Sequence, residues 1–449
     1  MAPMSTPLRP LTVVAAVTAA VTLVAAATLV RPSDSVAQNS LYQNGVAIDA
    51  DGSPSIIPAG EEPQFLTGTR VIDPGPGADL AAAEQVATES RQWLAQGTVP
   101  GTQSGYGDLA RTALLDLRTL TATDGAVLAG PSTAWRYVWP RDASFVAAAY
   151  TATGHGAEAV AILDFLQQVQ EPDGSFHARY LPDGSGVPDD RGLQTDGSGW
   201  VLWALDRLLT AAPELDLDPA ALQDRFTPML QRATDYLLRQ TGTSTGLPLP
   251  SADYWERPEA HVTLGTAAPV LAGLEAAARM HHRAGPADRA DQLDARAETL
   301  RAAIAEEFGR YGYGRYPRRT AQDAAVAFTL PPFLAEPLPG ALAAWQASIP
   351  EMARPGGGLA PGTTWGEPSM SWTPETALYA WAAAANGHPG QARQWLDWID
   401  THRTAIGAIP EKVGPDGSPA HVAPLTWSGA LTLLTLTELD RSAVPDRAE

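Results

Sequence analysis

Long and short connections alternate between the helical stretches of this 449-residue chain, and that alternation constrains its fold more than any single residue does. Hydrophobic period and Gly/Pro punctuation predict helices at about 78–96, 107–123, 142–153, 157–170, 195–210, 219–240, 263–283, 287–308, 321–330, 338–347, 372–385, 390–403 and 425–440. Almost nothing reads as strand. Short links such as Thr153-Gly-His-Gly156 and Asn386-Gly-His-Pro389 alternate with long, Gly/Pro/Asp-rich ones at 124–141, 171–194, 241–262, 309–320, 348–371 and 404–424. If the helices pair up and down, all six long loops leave the scaffold at one end, where a rigid fold carries its function.

The helices alternate in character as well. Those after long loops are apolar or small on nearly every side, as in Ala143-Ser-Phe-Val-Ala-Ala-Ala-Tyr150 and Thr376-Ala-Leu-Tyr-Ala-Trp-Ala383, which suits helices buried all round. Their partners are amphipathic, as in Asp291-Gln-Leu-Asp-Ala-Arg-Ala-Glu-Thr-Leu-Arg301. Six inner and six outer helices make an all-α protein, an (α/α)6 barrel over residues 78–449, with the helix near 78–96 leading into it. A helical-repeat solenoid would also alternate, but it would show a motif at fixed period, and none is present.

Ahead of the barrel, Leu11 to Val30 is a twenty-residue run without charge, preceded by Arg9 and closed by Arg31-Pro32. That length suits either a membrane anchor or a long signal peptide ending near Ser35-Val36-Ala37. Residues 1–37 are therefore expected to send the chain out of the cytoplasm, secreted or tethered to the membrane. Residues 38–77, rich in Gly, Pro and Ser, read as a linker or N-terminal extension. A formal charge of −20 argues against nucleic acid as a partner, and the absence of cysteine excludes thiolate chemistry and disulfides. No His-Glu-x-x-His spacing occurs. Asp173-Gly-Ser and Asp183-Gly-Ser could be taken for calcium ligands, but turns account for them equally well, so no metal or cofactor is expected.

Chemistry is left to carboxylates and aromatic rings on the long loops. The first ends in Trp135-Arg-Tyr-Val-Trp-Pro-Arg-Asp142, the second in Gln194-Thr-Asp-Gly-Ser-Gly-Trp200, and the third carries Asp253-Tyr-Trp-Glu-Arg257. The fourth has Gly314-Arg-Tyr-Pro317, and the sixth has Pro410-Glu-Lys412 followed by Leu425-Thr-Trp-Ser428. Aromatic planes beside Arg–Asp pairs suit a sugar, whose C–H faces stack on rings while its hydroxyls take hydrogen bonds. Two carboxylates on different loops at one mouth are the usual means of splitting a glycosidic bond.

In these motifs, ordered over about 300 residues, the chain resembles glycoside hydrolase family 15, the glucoamylases and glucodextranases. The resemblance implies an (α/α)6 barrel and an inverting, exo-acting α-glucosidase that releases β-glucose from non-reducing ends of α-glucans or malto- or isomalto-oligosaccharides. By position, Glu256 would be the general acid and Glu411 the general base. The acid must hold its proton, for which Trp255 and Tyr254 would supply a dry setting, and the base must stay ionised, for which Lys412 is the adjacent cation. Arg141 and Asp142 would grip the terminal glucose, with Tyr137, Trp139, Asp196, Trp255 and Trp427 shaping the same subsite, and Arg257, Arg315 and Tyr316 nearer the leaving group.

Other readings stand beside these. Asp142 could cap its helix, Arg257 could pair with Glu259, and Trp200 and Trp203, spaced i, i+3, read as core. Trp135 stands where the family commonly has tyrosine, and Lys412 where glutamine often follows the base. These departures leave the linkage open among α-1,4, α-1,6 and the trehalose type. A silent sugar-binding barrel is a further alternative, as is a helical-barrel lyase or endo-enzyme.

Overall fold

The structure is a computed structural model, and it describes residues 39–75 and 80–443. The chain divides into two compact units, residues 1–40 and 41–449. The first lies almost wholly outside the described residues, and with it the apolar run from Leu11 to Val30. Among the described residues no helix is long and apolar enough to cross a membrane.

The second unit is an all-α barrel. Its inner ring is α3 (Pro140–Ala152), α5 (Thr195–Ala211), α7 (Leu264–Ala284), a 3-10 segment (Ala324–Thr329), α10 (Thr373–Ala385) and α12 (Thr426–Ala443). Each packs on the next, and α12 returns to α3. Around them lie α2 (Gly107–Thr119), α4 (Gly156–Val169), α6 (Pro219–Gln240), α8 (Ala287–Glu307), α9 (Ala341–Met352) and α11 (Pro389–Thr401), with α1 (Leu80–Gln96) against α2.

The difference in residue character explains the layering. All but one of the α3 residues are buried, whereas α8 buries only the stripe Ala290, Leu293, Ala297, Leu300 and Ile304. Phe145, Trp200, Trp203, Phe333 and Trp381 fill the middle with edge-on and tilted ring contacts, so both tryptophans of α5 are core, as their spacing suggests. The small residues of the ring allow close crossing. A Cβ on Gly273 would lie 2.6 Å from Gly199, so α7 and α5 meet backbone to backbone.

Two expectations are corrected. The helix anticipated at 321–330 is a six-residue 3-10 segment, capped by Asp323 and stopped by Pro331-Pro332, which supply no N–H for a longer helix. Residues 41–75 do not form an unpacked linker. Strands β1 (Gln43–Ile48) and β2 (Pro54–Pro58) form an antiparallel hairpin, all of β1 is buried, and Ile48, Leu66 and Val71 make a second apolar cluster with Ala83 and Ala87 of α1. Arg70 fastens this extension to α2 through a two-pronged bond to Asp116 at 2.7 and 2.9 Å. The Asp51-Gly52 punctuation that suggested a linker is the turn of the hairpin, whose strands are too short to set up a period.

Candidate active site

Two of the inner helices start alike. Trp139-Pro140-Arg141-Asp142 opens α3, and Trp372-Thr373-Pro374-Glu375 opens α10. In each, proline occupies the first turn, where it gives up no hydrogen bond, and the charged residue follows it at the mouth of the barrel. A cavity of about 270 Å³ lies there, lined by Trp135, Trp139, Arg141, Asp142, Arg191, Tyr254, Trp255, Glu256, Trp365, Trp372, Glu375, Glu411 and Trp427 among others. This is just below the roughly 300–1,000 Å³ usual for small-molecule sites, so it suits one small ring rather than a long chain.

Glu256 reaches the cavity from a tight turn. Asp253 accepts hydrogen bonds from the Trp255 amide through its side chain and from the Glu256 amide through its carbonyl, at 2.9 and 2.8 Å. Glu256 itself sits at φ +57°, a left-handed conformation that L-residues with side chains avoid and that is concentrated at functional sites. Its Oε1 accepts from Trp139 Nε1 and Gln194 Nε2, both at 3.1 Å, and its Oε2 from Arg191 Nη1 at 2.7 Å. Arg141 Nη1 stands 3.6 Å from Oε1. Trp255 and Tyr254 line the cavity too, with the Arg315 guanidinium over the Trp255 ring and the Tyr254 hydroxyl on Asp323. The groups bonded to the Glu256 carboxylate are N–H donors.

Glu411 comes from the sixth loop, held by a small sheet. Strand β3 (Ser371–Trp372) pairs with β4 (Lys412–Val413), which pairs with β5 (Pro419–Ala420). The Glu411 backbone bonds to Val422 on one side and Thr373 on the other, at 2.8 and 3.0 Å. Lys412 does not attend it. Strand alternation points that side chain the other way, over the Trp372 ring at 4.0 Å and onto Glu367 at 2.8 and 3.0 Å. The group facing Glu411 Oε2 is His421 Nδ1, at 3.3 Å.

Between the two glutamates the wall is polar and unsatisfied. Arg141 is ion-paired with Asp142 at 2.8 Å and lies 4.6 Å over Trp427. Yet Arg141 Nε and Nη1 and Glu375 Oε2 are buried without hydrogen-bond partners, as are the indole nitrogens of Trp255, Trp365, Trp372 and Trp427. Buried polar atoms are normally paired, so this many around one cavity mark a place shaped for a ligand rich in hydroxyls. Burial pushes the Glu375 carboxyl up to about 8, with nearby Glu411 adding to the rise. Burial likewise pushes Asp196 up to about 7, although Arg141 opposes it. Burial also raises Asp142, again against Arg141.

Several solved structures are similar. A glycosidase variant in complex with glucose matches over 74% of this chain and 96% of its own, at a TM-score of 0.63 and 24% identity. A bacterial glucoamylase complexed with acarbose matches over 81% of this chain and 60% of its own, at a TM-score of 0.63 and 18% identity. The fold is that of the glucoamylases. An uncharacterized glycosyl hydrolase of Methanocaldococcus jannaschii is 24% identical over 75% of the chain. The chain spans 57% of the length of that curated relative. No protein-family model matches.

Within this glucoamylase fold the residues anticipated from the sequence divide into two groups. Glu256, Glu411, Trp139, Arg141, Asp142, Trp255 and Trp427 line the cavity. Asp196, Tyr137, Arg257, Arg315 and Tyr316 do not. Asp196 is 1% exposed, its charge coupled to Arg141, and the Tyr137 ring carries the Arg179 guanidinium at 4.2 Å. Arg257 is exposed and stacks on Trp365 at 4.5 Å. Its alternative partner Glu259 is taken by Arg315 and Tyr316, at 2.6 and 2.8 Å.

Arg315 is the clearest correction. It is 1% exposed, lies 3.8 Å from the Trp255 ring, and bonds Asp253, Glu259 and Asp323 at 2.9, 2.6 and 2.8 Å. Burial works against its charge, but Asp323 and Asp253 hold its pKa above the ordinary arginine value. It braces the Glu256 turn from behind and has no access to a leaving group.

Arg191, Trp365, Trp372 and Glu375 were missed. Trp365, Glu367 and Trp372 give the fifth loop the same aromatic-plus-charge content as the others, and α10, like α3, opens with a tryptophan, a proline and a carboxylate three residues after the tryptophan. Among the described residues no group of three His, Asp or Glu could hold a metal. Asp173 and Asp183 each accept two hydrogen bonds from the serine two residues on, as turns require.

Proposed function

We propose that the chain is an inverting, exo-acting α-glucoside hydrolase that releases β-glucose from non-reducing ends of α-glucans or short malto- or isomalto-oligosaccharides. The observation that carries this reading is the pair Glu256 and Glu411 on separate loops of one small cavity whose wall holds unpartnered polar groups between indole faces. Glucose and acarbose in the similar structures support a sugar of this kind. The cavity volume supports an exo action, in which one terminal ring enters and the rest of the chain stays outside.

Glu256, protonated on Oε2 once the incoming substrate has displaced Arg191 from that oxygen, gives the proton to the glycosidic oxygen as the bond to C1 breaks. Glu411 takes a proton from the water that attacks C1 from the other face, so the product is the β anomer. Arg141 and Asp142 hold the terminal hydroxyls, and a protonated Glu375 donates to another. The twenty-residue apolar run supports action outside the cytoplasm.

The test is incubation with maltose, isomaltose, trehalose, starch and dextran side by side, with NMR of the fresh product. β-Glucose appearing first from at least one of them is expected. An initial α signal refutes the inverting mechanism, and no glucose from any substrate refutes the hydrolase reading.

A further inference from the structure

The base loop has a second support that the catalytic scheme does not use, and it comes from the N-terminal extension. The β1 strand runs along the sixth loop. Tyr42 donates its backbone N–H to His421 O at 3.0 Å, Leu41 makes a parallel bridge to His421, and Thr404 Oγ1 donates to Asn44 O at 2.5 Å. The approach is close, since a Cβ on Gly45 would fall 2.7 Å from Ile406 Cδ1.

The Tyr42 ring lies 5.3 Å from the His421 ring and 5.9 Å from Trp135, and Trp135 meets His421 edge-on at 6.2 Å. His421 is thus in contact with two aromatic rings, with Nδ1 directed at Glu411. Nδ1 and Glu411 Oε2 are 3.3 Å apart, both buried, and neither has a hydrogen-bond partner. Lys412, the nearest cation in sequence, is committed to Glu367.

We propose that His421, clamped by Tyr42 of the N-terminal extension and by Trp135, is a positioning residue for Glu411, fixing which carboxylate oxygen faces the sugar. This rests on the reading of Glu411 as the base. A flexible glutamate must present one lone pair to the water at C1, and an imidazole held against the other oxygen removes the alternative rotamers. The charged and titratable groups around the imidazole are Glu411 and Tyr42, with Glu367 beyond. Burial and then the charges of Glu411 and Glu367 raise the Tyr42 phenol above its ordinary value. The charge of Glu411 also acts on Glu375, raising its carboxyl.

His421 has φ +64°, so glycine or asparagine at this position relieves the backbone where alanine would not. This separates positioning from folding. H421G deletes the ring without straining the turn, and H421N keeps an N–H donor near the place of Nδ1. In the full chain, H421G is expected to lower kcat on the substrate found above about tenfold, less than the hundredfold or more of losing the base itself. KM should stay within about twofold. H421N should restore most of kcat, and Tyr42→Ala should reproduce part of the loss.

A kcat for H421G within about twofold of the parent, or no recovery in H421N, overturns the proposal. A crystal structure of H421G provides a check that needs no turnover. Glu411 leaving its rotamer supports the proposal even if no α-glucoside is hydrolysed, and Glu411 unmoved refutes it whatever the substrate proves to be.

Discussion

Replacing Arg315 separates two accounts of the site sharply. Its guanidinium is 1% exposed and faces Asp253 and Asp323, both fully buried, and also Glu259. Arg315→Leu would leave those carboxylates in a dry interior with no cation. Breaking a buried ion pair from one side costs about 3–5 kcal/mol, a large fraction of the stability of an ordinary domain. Asp253 also holds the Trp255 amide, so the turn that presents Glu256 should loosen and turnover should fall with stability. Arg315→Lys keeps the charge but not the fork that reaches Asp253 and Asp323 together, and should cost about 1.5–3 kcal/mol. Denaturant unfolding measures both variants, with steady-state kinetics on the folded fraction. A leaving-group contact, the role suggested by the sequence motif, would give the opposite pattern of raised KM and unchanged unfolding midpoint. An Arg315→Leu variant within about 0.5 kcal/mol of the parent refutes the brace.

Glu256→Gln and Glu411→Gln should each lower kcat at least about a hundredfold with the fold retained by circular dichroism, and near-normal turnover in either would remove that residue from the chemistry. Glu256 at φ +57° should be strained, so Glu256→Gly is expected to raise stability by about 1 kcal/mol while abolishing activity; an unchanged unfolding midpoint would argue that the turn is relaxed. Glu375 holds its proton up to about pH 8 in the native state against an ordinary value of 4.5, so the native protein binds the extra proton between those limits. Its contribution is complete below about pH 4.5 and is lost as pH rises through 8, with a slope near 1.4 kcal/mol per pH unit. Glu375→Gln should flatten that slope in unfolding measured from pH 5 to 9, leaving the smaller part due to Asp196, and an unaltered slope would mean that Glu375 ionises freely.

What could be read in the chain was its local order. The period and burial character of α3, α5, α7, α10 and α12, and the loops between them, follow from which side chains recur every third or fourth residue, and that pattern survives any tertiary arrangement. It also brought Glu256, Glu411, Trp139, Arg141, Asp142 and Trp427 to one mouth, because loops of equal parity must emerge together. The β1–β2 hairpin and the 3-10 segment escaped because each is too short to set up a period.

Partner choice lay beyond the sequence. Arg315 sits in a motif that resembles a sugar-binding one but turns inward to Asp253 and Asp323, Lys412 follows Glu411 yet serves Glu367, and Tyr42, more than 360 positions away from Glu411 in sequence, packs against the histidine that faces it. Charge and ring contacts act over a few ångströms and are blind to sequence separation. Which side chains meet at Glu256 and Glu411 was therefore decided only when the barrel closed and the N-terminal strand lay down beside the sixth loop.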